Sequence, residues 1–117
     1  MPRCKLEIKP LSVNAVWQGR RYKTPKYKQY EKELLLLMPD MDIPDGALSV
    51  KYEFGFSSAA SDIDNPIKPL QDVLQKRYGF DDKRIHELIV TKTKVKKGEE
   101  YLTYEITHYK QKVKDLK

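Results

Sequence analysis

The clearest pattern in the chain is an alternation of apolar and polar residues between positions 47 and 56. Leu48 and every second residue up to Phe56 are apolar, whereas Ser, Lys, Glu and Gly occupy the positions between them. Successive side chains of a strand point to opposite faces of a sheet, so this pattern predicts a strand with one buried face. A shorter alternation over residues 3–9 predicts an earlier strand that Pro10 ends.

Two further strands are predicted near the end of the chain, over residues 85–97 and 100–109. Gly98 lies between them, and glycine favours a turn, so we expect these strands to be antiparallel partners. His86 and His108 fall within them and are isolated from other catalytic residue types. We interpret both histidines as ordinary strand residues.

Two helices are predicted from their capping residues. Thr24 followed by Pro25 is a typical N-cap and first helical position, and this helix should run to about residue 38. Asn65 followed by Pro66 has the same character. The second helix should end at Gly79 and bury one apolar face formed by Ile67, Leu70, Val73, Leu74 and Tyr78.

The elements together give the order β-α-β-α-β-β. That order predicts an α+β fold in which two helices cover a mixed or antiparallel sheet. A length of 117 residues fits one small domain. We assign residues 1–109 to this domain and residues 110–117 to a charged C-terminal tail.

Composition narrows the class of protein. The single cysteine, Cys4, excludes an internal disulfide and a cysteine-rich metal site. No apolar run approaches the ~20 residues of a membrane-spanning helix, and the first residues lack the apolar stretch of a signal peptide. We therefore expect a soluble, cytoplasmic protein that needs neither a membrane nor a small-molecule cofactor.

Charge is distributed unevenly along the chain, whose net charge is +6. Residues 1–32 carry +7, residues 33–65 carry −6, and residues 66–117 carry +5. Two basic regions on either side of an acidic one are typical of a protein that holds phosphate backbones around a metal site. The alternative is that these lysines only keep a small domain soluble, which would give the same distribution of charge.

The acidic region contains a compact group of charged residues. Asp62 and Asp64 are two positions apart, so an extended backbone can point both carboxylates to one side. Such oxygen ligands suit Mg2+, which usually takes one or two carboxylates and completes its shell with water and phosphate. Lys68 should lie in the first turn of the second helix, where the helix dipole disfavours a positive charge. It could stabilise charge on a phosphoryl group, or it could be an ordinary exposed lysine.

A second acidic pair, Asp81 and Asp82, follows the second helix. If that helix packs antiparallel to its neighbours, one of the pair could complete the metal site. The alternative is an acidic turn before a strand, because aspartate commonly bonds to the backbone of turns.

Two basic patches are candidates for phosphate contacts. The first interleaves basic and aromatic residues in the loop and helix start; the second consists of alternating lysines that should share one strand face. Solvated surface residues are the alternative for both. The first patch comprises Arg20, Arg21, Tyr22, Lys23, Lys26 and Lys28, and the second comprises Lys92, Lys94 and Lys96.

The acidic residues and the lysine stand in a recognisable order, Asp62-Ile63-Asp64-Asn65-x-x-Lys68 and then Gly79-Phe80-Asp81-Asp82-x-x-Ile85. This arrangement resembles the RusA family of Holliday junction resolvases. The segment Pro10-Leu11-Ser12-Val13-Asn14 is similar to an N-terminal loop of that family. Element order and length agree from about residue 3 to residue 108.

The resemblance implies a Mg2+-dependent endodeoxyribonuclease, with Mn2+ as an alternative ion, from a bacterium, phage or prophage. It would resolve four-way DNA junctions as a homodimer by nicking two opposed strands. Asp62, Asp64 and Asp82 match the family's metal-binding acids, Lys68 matches its catalytic lysine, and Asp81 matches a further acid. Asn14 aligns with a loop asparagine that supports DNA binding or the active site.

Two other functions remain open from the residues alone. A non-catalytic, basic nucleic-acid-binding module with a structural cation would have the same size and charge. A different metal-dependent phosphotransferase or nuclease, acting on flaps or single strands, would use the same acids.

Overall fold

In the computed structural model, residues 3–19 and 22–110 are described. Two α-helices and six strands are present in this part of the chain, and their order confirms an α+β domain. The helices are α1 (Pro25–Leu37) and α2 (Ile67–Tyr78). The strands are β1 (Cys4–Leu6), β2 (Trp17–Gln18), β3 (Tyr22–Lys23), β4 (Leu48–Phe56), β5 (Ile85–Lys94) and β6 (Tyr101–His108).

The main sheet has the strand order β1-β6-β4-β5. β4 runs parallel to β5 and antiparallel to β6, and β1 pairs antiparallel with β6, so the sheet is mixed, one of the two arrangements expected. The expectation that β5 and β6 pair with each other is wrong, because β4 lies between them. The six residues from 95 to 100 are long enough to carry the chain past the end of β4, so they do not form a tight hairpin.

β4 is central because its apolar positions are the most completely buried. Leu48, Val50 and Phe54 are fully buried, and Tyr52 is nearly so. These side chains form one core with residues from both helices, including Leu34 of α1 and others of α2. Burial of one large apolar side chain stabilises a fold by about 1.5–3 kcal/mol, which makes the sheet–helix core the main source of stability.

The N-terminus of α2 differs from the expectation that Asn65 caps it. The helix begins at Ile67, Pro66 occupies the N-cap position, and that cap makes no side-chain hydrogen bond. The side-chain amide of Asn65 instead donates to Asp62 Oδ2 at 3.3 Å. Its carbonyl accepts a hydrogen bond of 2.8 Å from the backbone N–H of Val13. Asn65 therefore joins the N-terminal loop to the acidic loop.

The other helix boundaries agree with the sequence. Thr24 caps α1 by accepting a hydrogen bond from the backbone N–H of Tyr27, with Pro25 as the first helical residue. Gly79 ends α2 with φ of +70°, a left-handed conformation that glycine adopts without strain. Within the described ranges, neither helix has the length and apolar character needed to cross a membrane.

Candidate active site

The loop between β4 and α2, residues 57–66, carries the first acidic pair. Asp62 and Asp64 are both exposed in this loop. Asp62 accepts the hydrogen bond from Asn65 described above, which fixes its carboxylate relative to the start of α2. The backbone bond between Val13 and Asn65 brings the N-terminal loop with Asn14 against the same segment. Asn14 itself is exposed, and its backbone N–H donates to Ser12 Oγ.

Lys92 of β5 holds this loop in place. Its Nζ donates to the carbonyl oxygen of Ser61 at 2.7 Å and to that of Ala59 at 3.3 Å. The sequence identified Lys92 only as a candidate for phosphate contact. The structure places its ammonium group on the backbone immediately before Asp62.

Lys68 contacts one acid within α2 and one acid in the segment that follows the helix. Its Nζ lies 2.9 Å from Asp72 Oδ1 and 3.7 Å from Asp82 Oδ2. The hydrogen bond to Asp72, followed by the charges of Asp72 and Asp82, raises the pKa of Lys68 above its ordinary value. Lys68 is therefore held as an ammonium ion. The fold thus brings together Lys68 and Asp82, two of the residues predicted for the site.

Asp72 was not predicted from the sequence as a site residue. The signal for it was local, because an acid four residues after a lysine lies on the same face of a helix. The chain contains many acid–base pairs at this spacing. The contact of Lys68 with Asp82 is what distinguishes this one.

Asp81 has a local role in the turn after α2. Its Oδ1 accepts a hydrogen bond of 2.9 Å from the backbone N–H of Lys83, and this bond lowers the pKa of Asp81. Asp81 is the N-cap of a short 3-10 helix at Asp82–Arg84. Asp81 remains exposed, whereas the Asp82 carboxylate lies 3.7 Å from Lys68 of α2.

The three acids Asp62, Asp64 and Asp82 have the donor chemistry of a site for a hard divalent cation. All are carboxylates, and each is at least partly open to solvent. In the described part of the chain, no three potential ligand side chains are already gathered around one point. Mg2+ needs only one or two carboxylates together with water and phosphate. The carboxylate side chains match the donor chemistry of this ion.

Only some residues of the two basic patches lie near the acidic loop. Lys23 Nζ lies 4.5 Å from the ring centroid of Tyr27 and 5.5 Å from that of Trp17. Lys26 borders a groove next to the acidic loop. β5 ends at Lys94, so Lys96 lies beyond the strand, and the expectation of three lysines on one strand face is wrong. Arg20 and Arg21 lie outside the described residues.

The groove beside the acidic loop was not predicted from the sequence. It encloses about 940 Å³ between the segment after β1, helix α1 and the loop that contains Asp62. Leu36 and Leu37 of α1 border it and are 78% and 48% exposed. The Tyr30 hydroxyl is buried and has no hydrogen-bond partner among the described residues.

The fold and the site together define a small α+β domain with a basic surface and an acid–lysine cluster suited to phosphate chemistry. A family model of endodeoxyribonuclease RusA matches residues 12–107 of the 117-residue chain. The chain belongs to the RusA endodeoxyribonuclease family, a family of nucleases. No curated protein sequence matches it at a significant level.

Proposed function

We propose that this protein is a Mg2+-dependent Holliday junction resolvase that acts as a homodimer and nicks two opposed strands. Family membership supports the reaction class. The observation that carries the proposal is the contact of Lys68 with Asp82 at 3.7 Å, since Lys68 follows the loop of Asp62 and Asp64 directly in the chain. A cytoplasmic location in a bacterial, phage or prophage context belongs to the same proposal.

In the proposed reaction, the acids and the lysine would have different roles. Asp62, Asp64 and Asp82 would hold the ion, with Mn2+ as an alternative to Mg2+. Such an ion polarises a phosphate and activates water. Lys68 directs a positive charge at the scissile phosphate and stabilises the negative charge that develops there. Hydrolysis would leave a 5′-phosphate and a 3′-hydroxyl.

The surrounding residues would bind and orient the DNA. Lys26 and Lys94 are exposed cations near the acidic loop and at the end of β5, where they can contact phosphate groups. Lys92 orients the acidic loop through its bonds to the loop carbonyls. Phosphate contacts carry no sequence preference, so selectivity for a four-way junction would come from the geometry of the dimer.

The proposal is tested with an end-labelled synthetic four-way junction and a linear duplex of the same sequence. We expect paired nicks in the junction with Mg2+, none with EDTA, and little cutting of the duplex. Equal cutting of the duplex would support a nuclease activity but refute selectivity for junctions. Tight binding without cleavage, over several junction sequences and with Mn2+, would favour the binding module.

Asp64→Asn tests the assignment of the site. The substitution removes a charge that a hard cation requires but keeps the size of the side chain. We expect cleavage to be lost and junction binding to be retained. Asp42→Asn is the matched control, since Asp42 is an exposed aspartate in the segment between α1 and β4. Retained cleavage by Asp64→Asn would show that the site lies elsewhere.

A further inference from the structure

Asp72 lies in the middle of α2, one helical turn beyond Lys68. The two side chains make the shortest contact of the Lys68 ammonium group, 2.9 Å against 3.7 Å for Asp82. Residues four apart lie on the same helix face, so this contact requires no distortion of the backbone. Lys68 thus has one carboxylate partner on its own helix and one on the segment that follows.

The two partners differ in what else they would do. Asp82 is one of the three acids that would hold the divalent ion. A carboxylate that binds a cation has less negative charge to offer a lysine, so ion binding would weaken the contact between Lys68 and Asp82. Asp72 is not among the acids assigned to the ion, so its contact with Lys68 would persist.

The position of Asp72 is fixed by the packing of α2. Its neighbours on the helix, Leu70 and Val73, are fully buried in the core. The backbone that carries Asp72 is therefore anchored by the core, while its carboxylate reaches Lys68 at the surface.

We infer that Asp72 is a positioning residue that keeps the Lys68 ammonium group directed at the site when Asp82 is taken by the divalent ion. This inference rests on the proposed function. The alternative is an exposed ion pair at helical spacing that contributes only slightly to stability. Displacing a catalytic group by about 1 Å can cost up to about 100-fold in rate, so the two interpretations predict different results.

The first experiment is a double-mutant cycle with the full-length protein. Asp72→Asn should slow single-turnover junction cleavage by about 10-fold to 100-fold, with the Kd for the junction within about twofold of wild type. In a Lys68→Ala background, Asp72→Asn should cause no further loss, because Asp72 acts through the lysine. Asp72→Glu should recover most of the rate.

The control is Lys76→Ala in the same helix. Lys76 pairs with Glu31 at 3.3 Å, and its side chain is 59% exposed against 57% for Lys68. We expect normal cleavage from this variant. Both Lys76→Ala and Asp72→Asn should lower the midpoint of thermal unfolding by only about 2 °C.

Two results would overturn the inference. Cleavage by Asp72→Asn at the wild-type rate would mean that the ion pair of Lys68 and Asp72 only stabilises the fold. A further loss of rate in the Lys68→Ala background, together with a higher Mg2+ requirement, would make Asp72 a metal ligand.

A readout without catalysis separates this inference from the proposed function. In NMR spectra, the ¹⁵N signal of the Lys68 ammonium group can be assigned by its loss in Lys68→Arg. This signal should be sharp in the wild-type protein with Mg2+ present and should broaden in Asp72→Asn. If the wild-type protein fails to cleave junctions but this change occurs, the proposed function is wrong and the ion pair is real. An unchanged signal would refute the positioning role.

Discussion

Replacing Lys92 with methionine tests how the acidic loop is held. The substitution keeps the length of the side chain and removes the ammonium group that donates to the carbonyls of Ser61 and Ala59. A hydrogen bond from a charged donor contributes about 1.5–3 kcal/mol, and ordering a lysine side chain costs up to about 2 kcal/mol. Since Lys92 is exposed, we take about 1 kcal/mol as the net contribution to the order of the loop.

The expected loss of activity follows from that value. A change of about 1 kcal/mol shifts the population of the competent loop by about fivefold, so Lys92→Met should lower single-turnover cleavage by about that factor. Junction binding at fixed salt should change little, because the ammonium group is already occupied by the loop. Lys94→Met is the matched control, being two residues along the same strand and exposed.

The assay measures the cleavage rate and the dependence of junction binding on salt concentration. A lysine that contacts a phosphate changes the salt slope by about one unit when it is removed. We expect this change for Lys94→Met and not for Lys92→Met. Wild-type cleavage by Lys92→Met, or a salt slope reduced by about one unit, would refute the loop-holding role.

Two predictions concern the sheet that carries the site. Gly55→Ala should destabilise the fold by about 1–3 kcal/mol in urea unfolding, because the added Cβ would overlap the Tyr101 ring. An unchanged midpoint would mean that the ring moves aside freely. The pKa of Glu53 lies below its ordinary value of 4.5, mainly because Tyr101 donates a hydrogen bond to its carboxylate. A hydrogen bond from Thr93 and nearby positive charges lower this pKa further. Glu53 therefore stabilises the fold above that pH, and the contribution is lost as the pH falls below it. Thermal unfolding should show a smaller decline below pH 4.5 for Glu53→Gln than for wild type, and identical declines would contradict this.

Local signals predicted most of the secondary structure. The alternation from Leu48 to Phe56 and the Thr24–Pro25 cap each act within a few residues, and both elements formed at those positions. Asn65 shows the limit of such signals. Its sequence context is that of a helix cap, but its side chain bonds to Asp62 and its carbonyl to Val13, which is far away in the chain.

The sequence by itself determined the helices, the central strand and the residue types of the candidate site, because capping, periodicity and ligand chemistry are properties of neighbouring residues. Tertiary structure alone decided that β4 separates β5 from β6, that Lys92 holds the acidic loop, and that Lys68 meets Asp82. These contacts join segments far apart in the chain or in different elements. Their formation depends on which faces the core buries, a choice made by the packing of the whole domain.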